Sequence, residues 1–426
     1  AAEEFGVRRQ YEPNDEWSYA EAAEKLAVYL ANERGEQVLL FIPTKNASRQ
    51  MADILGASSE FPPAHDAIDE LKKYEETQSR NLLEKCLRNS IAFHNADLSP
   101  GLRKLIEREY DAGNIRILVS TATLGEGVNL AGKNVIQFPE MVSRDPWTGK
   151  YGFGPLAKNR FRNQGGRAGR FGRNVEFGRS MLIANGEHQV ERLIREYVFG
   201  ALESLEPPIK RGDLGEITLD LVASGVSSSN EDVAGFLLDT YTGMISWRSS
   251  ENDFRKLVKE EIDHCITRHF LEESGNAKLS VTGTGEVAAI TGVRPETAAM
   301  LVRWLRETEN DSFKPFEIFL VSAFTPDGAE FPIRITSREK RMVRFREVVS
   351  EMLGDKKIEN VPLLKELVDK QGGYTDSDFS ALKKALILHH WTGAEDTITI
   401  EENYGVLAGS MIRLGDDSDP VAEAFQ

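Results

Sequence analysis

Five short apolar runs, separated by helix-like sequence, constrain the first two hundred residues more than any other feature. They are 38–42 (VLLFI), 90–93 (SIAF), 115–119 (IRILV), 134–138 (NVIQF) and 181–184 (MLIA). Continuous apolar runs this short suit strands buried on both faces, because nothing in them alternates between core and solvent. Between them lie helical patterns at about Asn46 to Leu55, Asp69 to Arg88 and Ser99 to Asp111. Ser99-Pro100 supplies a cap and a proline at the first helical position. Alternating strands and helices predict an α/β fold, a parallel sheet with helices on both faces. Ligands of such sheets gather at the carboxyl ends of the strands, so the loops after the runs are where chemistry is expected.

The pattern changes after Ala201, where Glu206-Pro207-Pro208 punctuates the chain. Leu214, Ile217, Leu221 and Val222 share a helix face. The stretch 228–232 (SSNED) reads as a cap before Val233 to Leu238. A long amphipathic pattern covers Glu251 to Glu273, then 278–283 (KLSVTG) reads as a strand ended by a turn, and Pro295 to Arg306 as an amphipathic helix. Small helices around a short β element predict a winged helix over 201–310. The stretch 311–426 is expected to be mostly helical, with a β turn-back at Phe331 to Thr336 and a ragged acidic end from Asp416.

The formal net charge of −16 counts against a simple basic nucleic-acid binder. Net charge is a mean, however, and local patches can oppose it. Between Lys158 and Arg179 seven basic residues face Glu176 alone. A second basic stretch runs from Arg338 to Arg346, including Arg341 and Arg344. It reads either as a solvated helix face or as a nucleic-acid contact. The two cysteines, Cys86 and Cys265, are far apart, so a reduced, cytoplasmic setting is expected. His264 and His269 fall on different faces of one helix, and His389 and His390 also diverge, which leaves no zinc spacing. No apolar run approaches the roughly 20 residues that cross a bilayer. Trp304 and Trp391 fall among apolar helix positions, as core residues do, and His94 at a strand end suits a buried hydrogen-bonding role.

The sharpest local signal is 164–170 (QGGRAGR). Arg167 and Arg170, three apart with small residues between, can present two guanidiniums on one side of a turn. Two planar, permanently charged forks suit a transferring phosphoryl group. A glycine- and arginine-rich surface loop would read the same in isolation. Three further polar loops follow strand-like runs: Pro43-Thr44-Lys45, 94–98 (HNADL) and 120–130 (STATLGEGVNL).

Four such loops in this order resemble motifs IV, IVa, V and VI of superfamily-2 helicases. Within that superfamily the wording is similar to the superkiller-type group, and most to its archaeal DNA-repair members. The phrases AFHNADLSPGLRKLIEREYDAGNIRILVSTATLGEGVNL and QGGRAGRFG carry the resemblance, which covers about Gln37 to Gly186. It continues more weakly through a winged helix at Val190 to Arg306 and through Ala381 to Leu414, which is similar to the segment leading into the family's helical ratchet domain. No large insertion resembles the arch of the RNA-exosome helicases, which favours DNA over RNA.

The resemblance implies a RecA-like sheet over 1–200, a winged-helix domain over 201–310, and over 311–426 a helical domain leading into a truncated ratchet-like one. It implies that Arg170 is the arginine finger, Arg167 a second γ-phosphate contact and Gln164 part of the nucleotide network. Gly127, Asn129 and Gly166 are implied at the nucleotide. Thr44, Lys45, Thr121 and Thr123 are implied on the strand backbone. The stretch 141–155 (MVSRDPWTGKYGFGP) stands where archaeal members carry a strand-separating β-hairpin, with Trp147 or Tyr151 as its wedge. An ordinary exposed loop is the equal alternative.

One departure matters. No G-x-x-x-x-G-K-[ST] occurs, since Gly149-Lys150 is followed by Tyr151, and no DExH box follows a buried strand. In this family both belong to the first RecA-like domain, which is expected to precede residue 1. ATP and Mg²⁺ are the implied cofactors, both needing that domain. Single-stranded or branched DNA is the expected partner, with RNA open and no membrane. The chain alone is therefore expected not to turn over ATP. A non-enzymatic nucleic-acid-binding module, or a regulator whose winged helix reads duplex sequence, is the competing expectation.

Overall fold

The computed structural model describes residues 16–124, 130–144, 151–169, 177–308, 313–331 and 333–423. They form two compact units. The first runs to Ser204 and takes in Thr397–Ser410. The second comprises Leu205–Asp396 and the residues from Met411.

In the first unit α1 (Glu16–Asn32) leads into β1 (Val38–Phe41), then α2 (Lys45–Ser58), α3 (His65–Leu71), α4 (Gln78–Leu87), β2 (Ile91–His94), α5 (Pro100–Asp111), β3 (Ile117–Ser120) and β4 (Asn134–Gln137). A hairpin of β5 (Glu140–Arg144) and β6 (Tyr151–Pro155) follows, then α6 (Lys158–Gly165), β7 (Arg179–Leu182) and α7 (Glu187–Leu193). Five strands form one parallel sheet in the order β2-β3-β1-β4-β7. Every residue of β1 to β4 is buried, which is why these strands read as unbroken apolar runs. The expected α/β class is what the chain adopts. Ser99 accepts from the amide of Leu102 at the start of α5, as its sequence implied. The single helix expected from Asp69 to Arg88 is two helices. Thr77 starts a new one by accepting from the amide of Arg80, and Arg80 Nε donates to the carbonyl of Leu71.

The second unit opens with α8 (Leu214–Ala223), α9 (Asn230–Leu238) and α10 (Glu251–Thr267). The antiparallel pair β8 (Leu271–Glu273) and β9 (Leu279–Val281) follows, then α11 (Gly283–Thr291) and α12 (Pro295–Glu307). The amphipathic pattern expected to reach Glu273 stops at Thr267, because His269 takes a positive φ of 61° and turns the chain into β8. Next come α13 (Pro315–Phe324), α14 (Pro326–Glu330), α15 (Ser337–Met342), α16 (Phe345–Leu353), α17 (Pro362–Val368) and α18 (Asp376–Thr392). The β turn-back expected at Phe331 to Thr336 does not form among the described residues; the segment is irregular and ends on Thr336, the cap of α15. Trp304 is buried as expected, its Nε1 donating to Glu317, which also pairs with Lys356; Trp391 is half-buried.

After α19 (Thr397–Tyr404) the chain enters α20 (Ala408–Glu423), so the expected ragged end is helical as far as Glu423. Burial raises both thiols, Cys86 to about 12 and Cys265 to about 11, so neither is a reactive nucleophile near neutral pH.

Candidate functional site

Strand β1 hands the chain to β2 on one side of the sheet, and β4 hands it to β7 on the other. The order therefore reverses between β1 and β4, and a crevice is expected at their carboxyl ends. An open cleft sits there. Ile42 follows β1, Phe138 follows β4, Ala122 follows β3, Glu140 comes from the hairpin, and Arg160 and Gln164 come from α6. Gln164 is only 4% exposed, yet it faces the cleft. The amino end of α6 is capped by Glu203, whose carboxylate accepts from the amides of Lys158 and Asn159.

The turn after α6 is stitched to the loop that precedes β4. Arg167 N donates to Gln164 O, Gly132 N donates to Arg167 O, and Gly169 N donates to Gly132 O. Gly169 has a φ of +64°, and a Cβ there would meet Gly178 N at 2.4 Å. A Cβ on Gly178 would meet Ala168 in return. These glycines let two backbone segments touch, which fixes both ends of the stretch that holds Arg170. Arg170 itself lies outside the described residues, as do Gly127, Asn129 and Trp147. Arg167 is 7% exposed, so its guanidinium is held within the unit; a phosphate contact would require that side chain to turn outward. Gly166 closes α6 as its C-cap, is exposed, and would meet only carbonyls of its own helix.

The other predicted residues also sit at strand ends. Thr44 caps α2, its hydroxyl accepting from the amide of Ala47. Lys45 opens α2 and pairs with Asp97, in the loop after β2, at 2.5 Å. Thr121, after β3, is 7% exposed, and its amide donates to His94 O. Thr123 lies in the single 3-10 turn that follows (Ala122–Leu124). His94 is buried, with Nε2 at 2.9 Å from Glu107, the structural role its position suggested. Residues 141–155 do contain a hairpin: β5 and β6 pair antiparallel, with Arg144 opposite Tyr151 and Val142 opposite Phe153. Phe153 is 60% exposed, an outward aromatic that was not singled out from the sequence.

Among the described residues the basic stretch of Lys158 to Arg179 is divided between different places. Arg167 is buried, Arg162 is exposed and donates to Gly200 O, and Arg179 works at the opposite edge of the sheet. There Arg179 pairs with Glu36 at 2.6 Å, reaches Asn134 Oδ1 at 3.0 Å and lies over the Phe177 ring, while Lys133 holds the other oxygen of Glu36. Burial pushes the Glu36 carboxyl up, but hydrogen bonds from Asn134 and Lys133 and the charge of Arg179 outweigh it and leave it below the usual value. In the second unit, Arg344 pairs with Glu347, Lys340 with Asp376, and Arg346 with Glu359 and Asp369. Arg338 and Arg341 on α15 are exposed, with no ion pair among the described residues. Most of that basic stretch is therefore a solvated, internally paired helix surface.

A five-stranded parallel sheet in this order, with helices between its strands, is a RecA-like arrangement. Residues 21–172 match the model of the helicase conserved C-terminal domain. It is similar to three ATP-dependent DNA helicases named Hel308. The one from Caldivirga maquilingensis is 25% identical over 409 residues, 92% of this chain and 52% of that protein. The one from Thermoplasma volcanium is 24% identical over 381 residues, 88% and 49% respectively. The one from Pyrobaculum calidifontis is 26% identical over 387 residues, 88% and 50%. The chain thus spans about half the length of the curated relatives it matches. No helix among the described residues is long and apolar enough to cross a membrane.

Proposed function

We propose that this chain supplies the second motor lobe, with its trailing helical domains, of an ATP-driven DNA translocase that separates strands. One observation carries the reading. The loops after β1, β2 and β3 with helicase-type wording emerge at the carboxyl edge of the sheet, and α6, where the fourth such segment begins, lines the switch-point cleft with Gln164. The names of the relatives support DNA rather than RNA.

In this reading Arg170 is the arginine finger, delivered from the pinned Gly169, and Arg167 swings out to join it when nucleotide arrives. Gln164 holds the network between them, and Gly127, Asn129 and Gly166 line the nucleotide side. Thr44, Lys45, Thr121 and Thr123 follow the strand backbone, so binding tolerates sequence and weakens steeply with salt. The β5–β6 hairpin is the wedge, with Trp147 or Tyr151 at its working end. Arg341 offers a further phosphate contact from the second unit and Arg344 a weaker one, since Glu347 already engages it. The β8–β9 pair after three helices supports a winged helix over 201–310, with 311–426 as the helical domain leading to a ratchet-like element. A cytoplasmic setting fits a DNA translocase.

ATP would meet only half of its site here. The chain offers cations for the γ-phosphate and no phosphate cradle. Among the described residues no group of three His, Cys, Asp or Glu side chains could hold a metal ion. In this reading the donors for Mg²⁺ come with the nucleotide and a phosphate-cradling lobe. The test is a steady-state ATPase assay with saturating single-stranded DNA. The chain alone should show no turnover. Addition of a lobe bearing Walker A and DExH motifs should restore it, and Arg170→Ala should abolish the restored rate. Turnover by the chain alone that depends on Arg170 would refute the reading.

A further inference from the structure

Asp97 is 4% exposed, and its carboxylate is held from three directions. Lys45 Nζ lies at 2.5 Å, Arg49, one turn further along α2, at 3.7 Å, and the Ser410 hydroxyl at 3.3 Å. Ser410 also accepts from Lys45 Nζ at 3.1 Å, so this hydroxyl bridges the ion pair. It belongs to the segment Thr397–Ser410, which returns to the first unit late in the chain. Gly409 N donates to Asp97 O at 3.0 Å, and a Cβ on Gly409 would meet Ala96 O at 2.4 Å, so the turn lies directly on the loop after β2. The other end of the segment is fastened by Glu401, 1% exposed, which accepts from the amides of Gln78 and Ala408. Five groups from three parts of the sequence thus meet where the strand-contacting loops emerge.

Lys45 differs from the rest of this cluster. Its side chain is 45% exposed, while that of Asp97 is 5% and that of Arg49 is 22%. A lysine ammonium is a mobile point charge on a flexible stem and can leave a carboxylate for a phosphate. Asp97 cannot follow it, and a buried carboxylate stripped of partners is costly. Arg49 and Ser410 are the groups that can take over.

We propose that Asp97 is a positioning residue that shares Lys45 between itself and a strand phosphate, and that the turn joining α19 to α20 is the element that responds to the exchange. This rests on the strand-tracking reading above. When Lys45 is on Asp97, Ser410 is held by both, and the turn is latched. When Lys45 moves to a phosphate, Ser410 loses the bond it accepts from Lys45 and keeps only the one it donates to Asp97, and the latch at Gly409 loosens. By linkage the effect is reciprocal: an intact latch lowers strand affinity by the same factor with which the strand loosens the latch.

The test combines fluorescence anisotropy on a labelled single-stranded oligothymidylate with hydrogen exchange at the Gly409 and Ser410 amides, using the full chain. Asp97→Asn should raise affinity about fivefold and steepen the salt dependence by about 0.7 in log–log slope, the release expected for one added contact to a single strand. In a Lys45→Ala background Asp97→Asn should change neither. Adding the oligonucleotide should speed exchange at Gly409 in the unsubstituted chain and not in Lys45→Ala. Ser410→Ala removes only the bridging hydroxyl and guards against misfolding of Asp97→Asn; it should raise basal exchange and shrink the strand-induced increment. Binding with an unchanged slope in Asp97→Asn, or a full increment in Ser410→Ala, overturns the coupling and leaves the strand-tracking reading standing. Absence of oligonucleotide binding in every variant overturns both.

Discussion

The two edges of the parallel sheet use the same kinds of residue for opposite ends. At the amino edge, Arg179 and Lys133 are spent on Glu36, with Asn134 completing the cluster. At the carboxyl edge, the loops carry Thr44, Lys45 and Thr121, and Gln164 of α6 lines an open cleft. The difference teaches that how far a basic side chain is committed to its carboxylate here follows from which end of the strands it occupies. Lys45 and Arg179 each pair with a little-exposed carboxylate, yet Arg179, which starts a strand, is 25% exposed, and Lys45, which follows one, is 45% exposed.

That contrast can be broken or sharpened by substitution. The largest effect is expected from Arg170→Ala, which should cut ATP turnover by about 10³-fold or more once a phosphate-cradling lobe is supplied. Steady-state ATPase rates check this, and thermal melting should be unchanged. Arg179→Ala should do the reverse. It removes a charged partner from the little-exposed Glu36 and should cost roughly 2 kcal/mol, moderated because Lys133 remains. Scanning calorimetry should show a lower melting temperature for the first unit, with oligonucleotide affinity intact. Glu36→Gln should have a smaller effect that depends on pH. The folded-state carboxyl lies below its ordinary value, so its contribution is complete above that value and is lost as pH falls through the lowered one. The melting-temperature gap between the unsubstituted chain and Glu36→Gln should therefore shrink from about pH 5 to about pH 3. The smallest effect is expected from Arg344→Ala in the second unit, within about 0.5 kcal/mol in stability and under about twofold in strand affinity. A larger loss of affinity would make the second basic stretch a nucleic-acid contact after all.

The strands were legible because burial on both faces removes polar alternation, leaving runs such as 38–42 that stand out unaided. The start of α5 was legible through Ser99-Pro100, whose chemistry is local. What escaped depends on partners far away in sequence. Nothing near Asp69 to Arg88 shows that Arg80 reaches back to Leu71 O and that the helix breaks there. The end of α10 rests on a positive φ at His269, a residue type that gives no warning of it. At the site, the order of the loops could be read, and Gln164 does reach the cleft. The burial of Arg167 could not be read, because it comes from backbone bonds to Gly132, thirty-odd positions earlier. The role of Asp97 could not be read either, since its partner Ser410 lies more than three hundred positions away.

That return of the chain has a consequence for biosynthesis. Residues 397–410 complete the first unit only after everything from Leu205 to Asp396 has been made. At ribosomal speeds of about 5–20 residues per second the delay is roughly 10–40 s. During that interval the carbonyl of Asp97 and the amide of Gln78 lack Gly409 and Glu401, so the first unit waits for its final fastening.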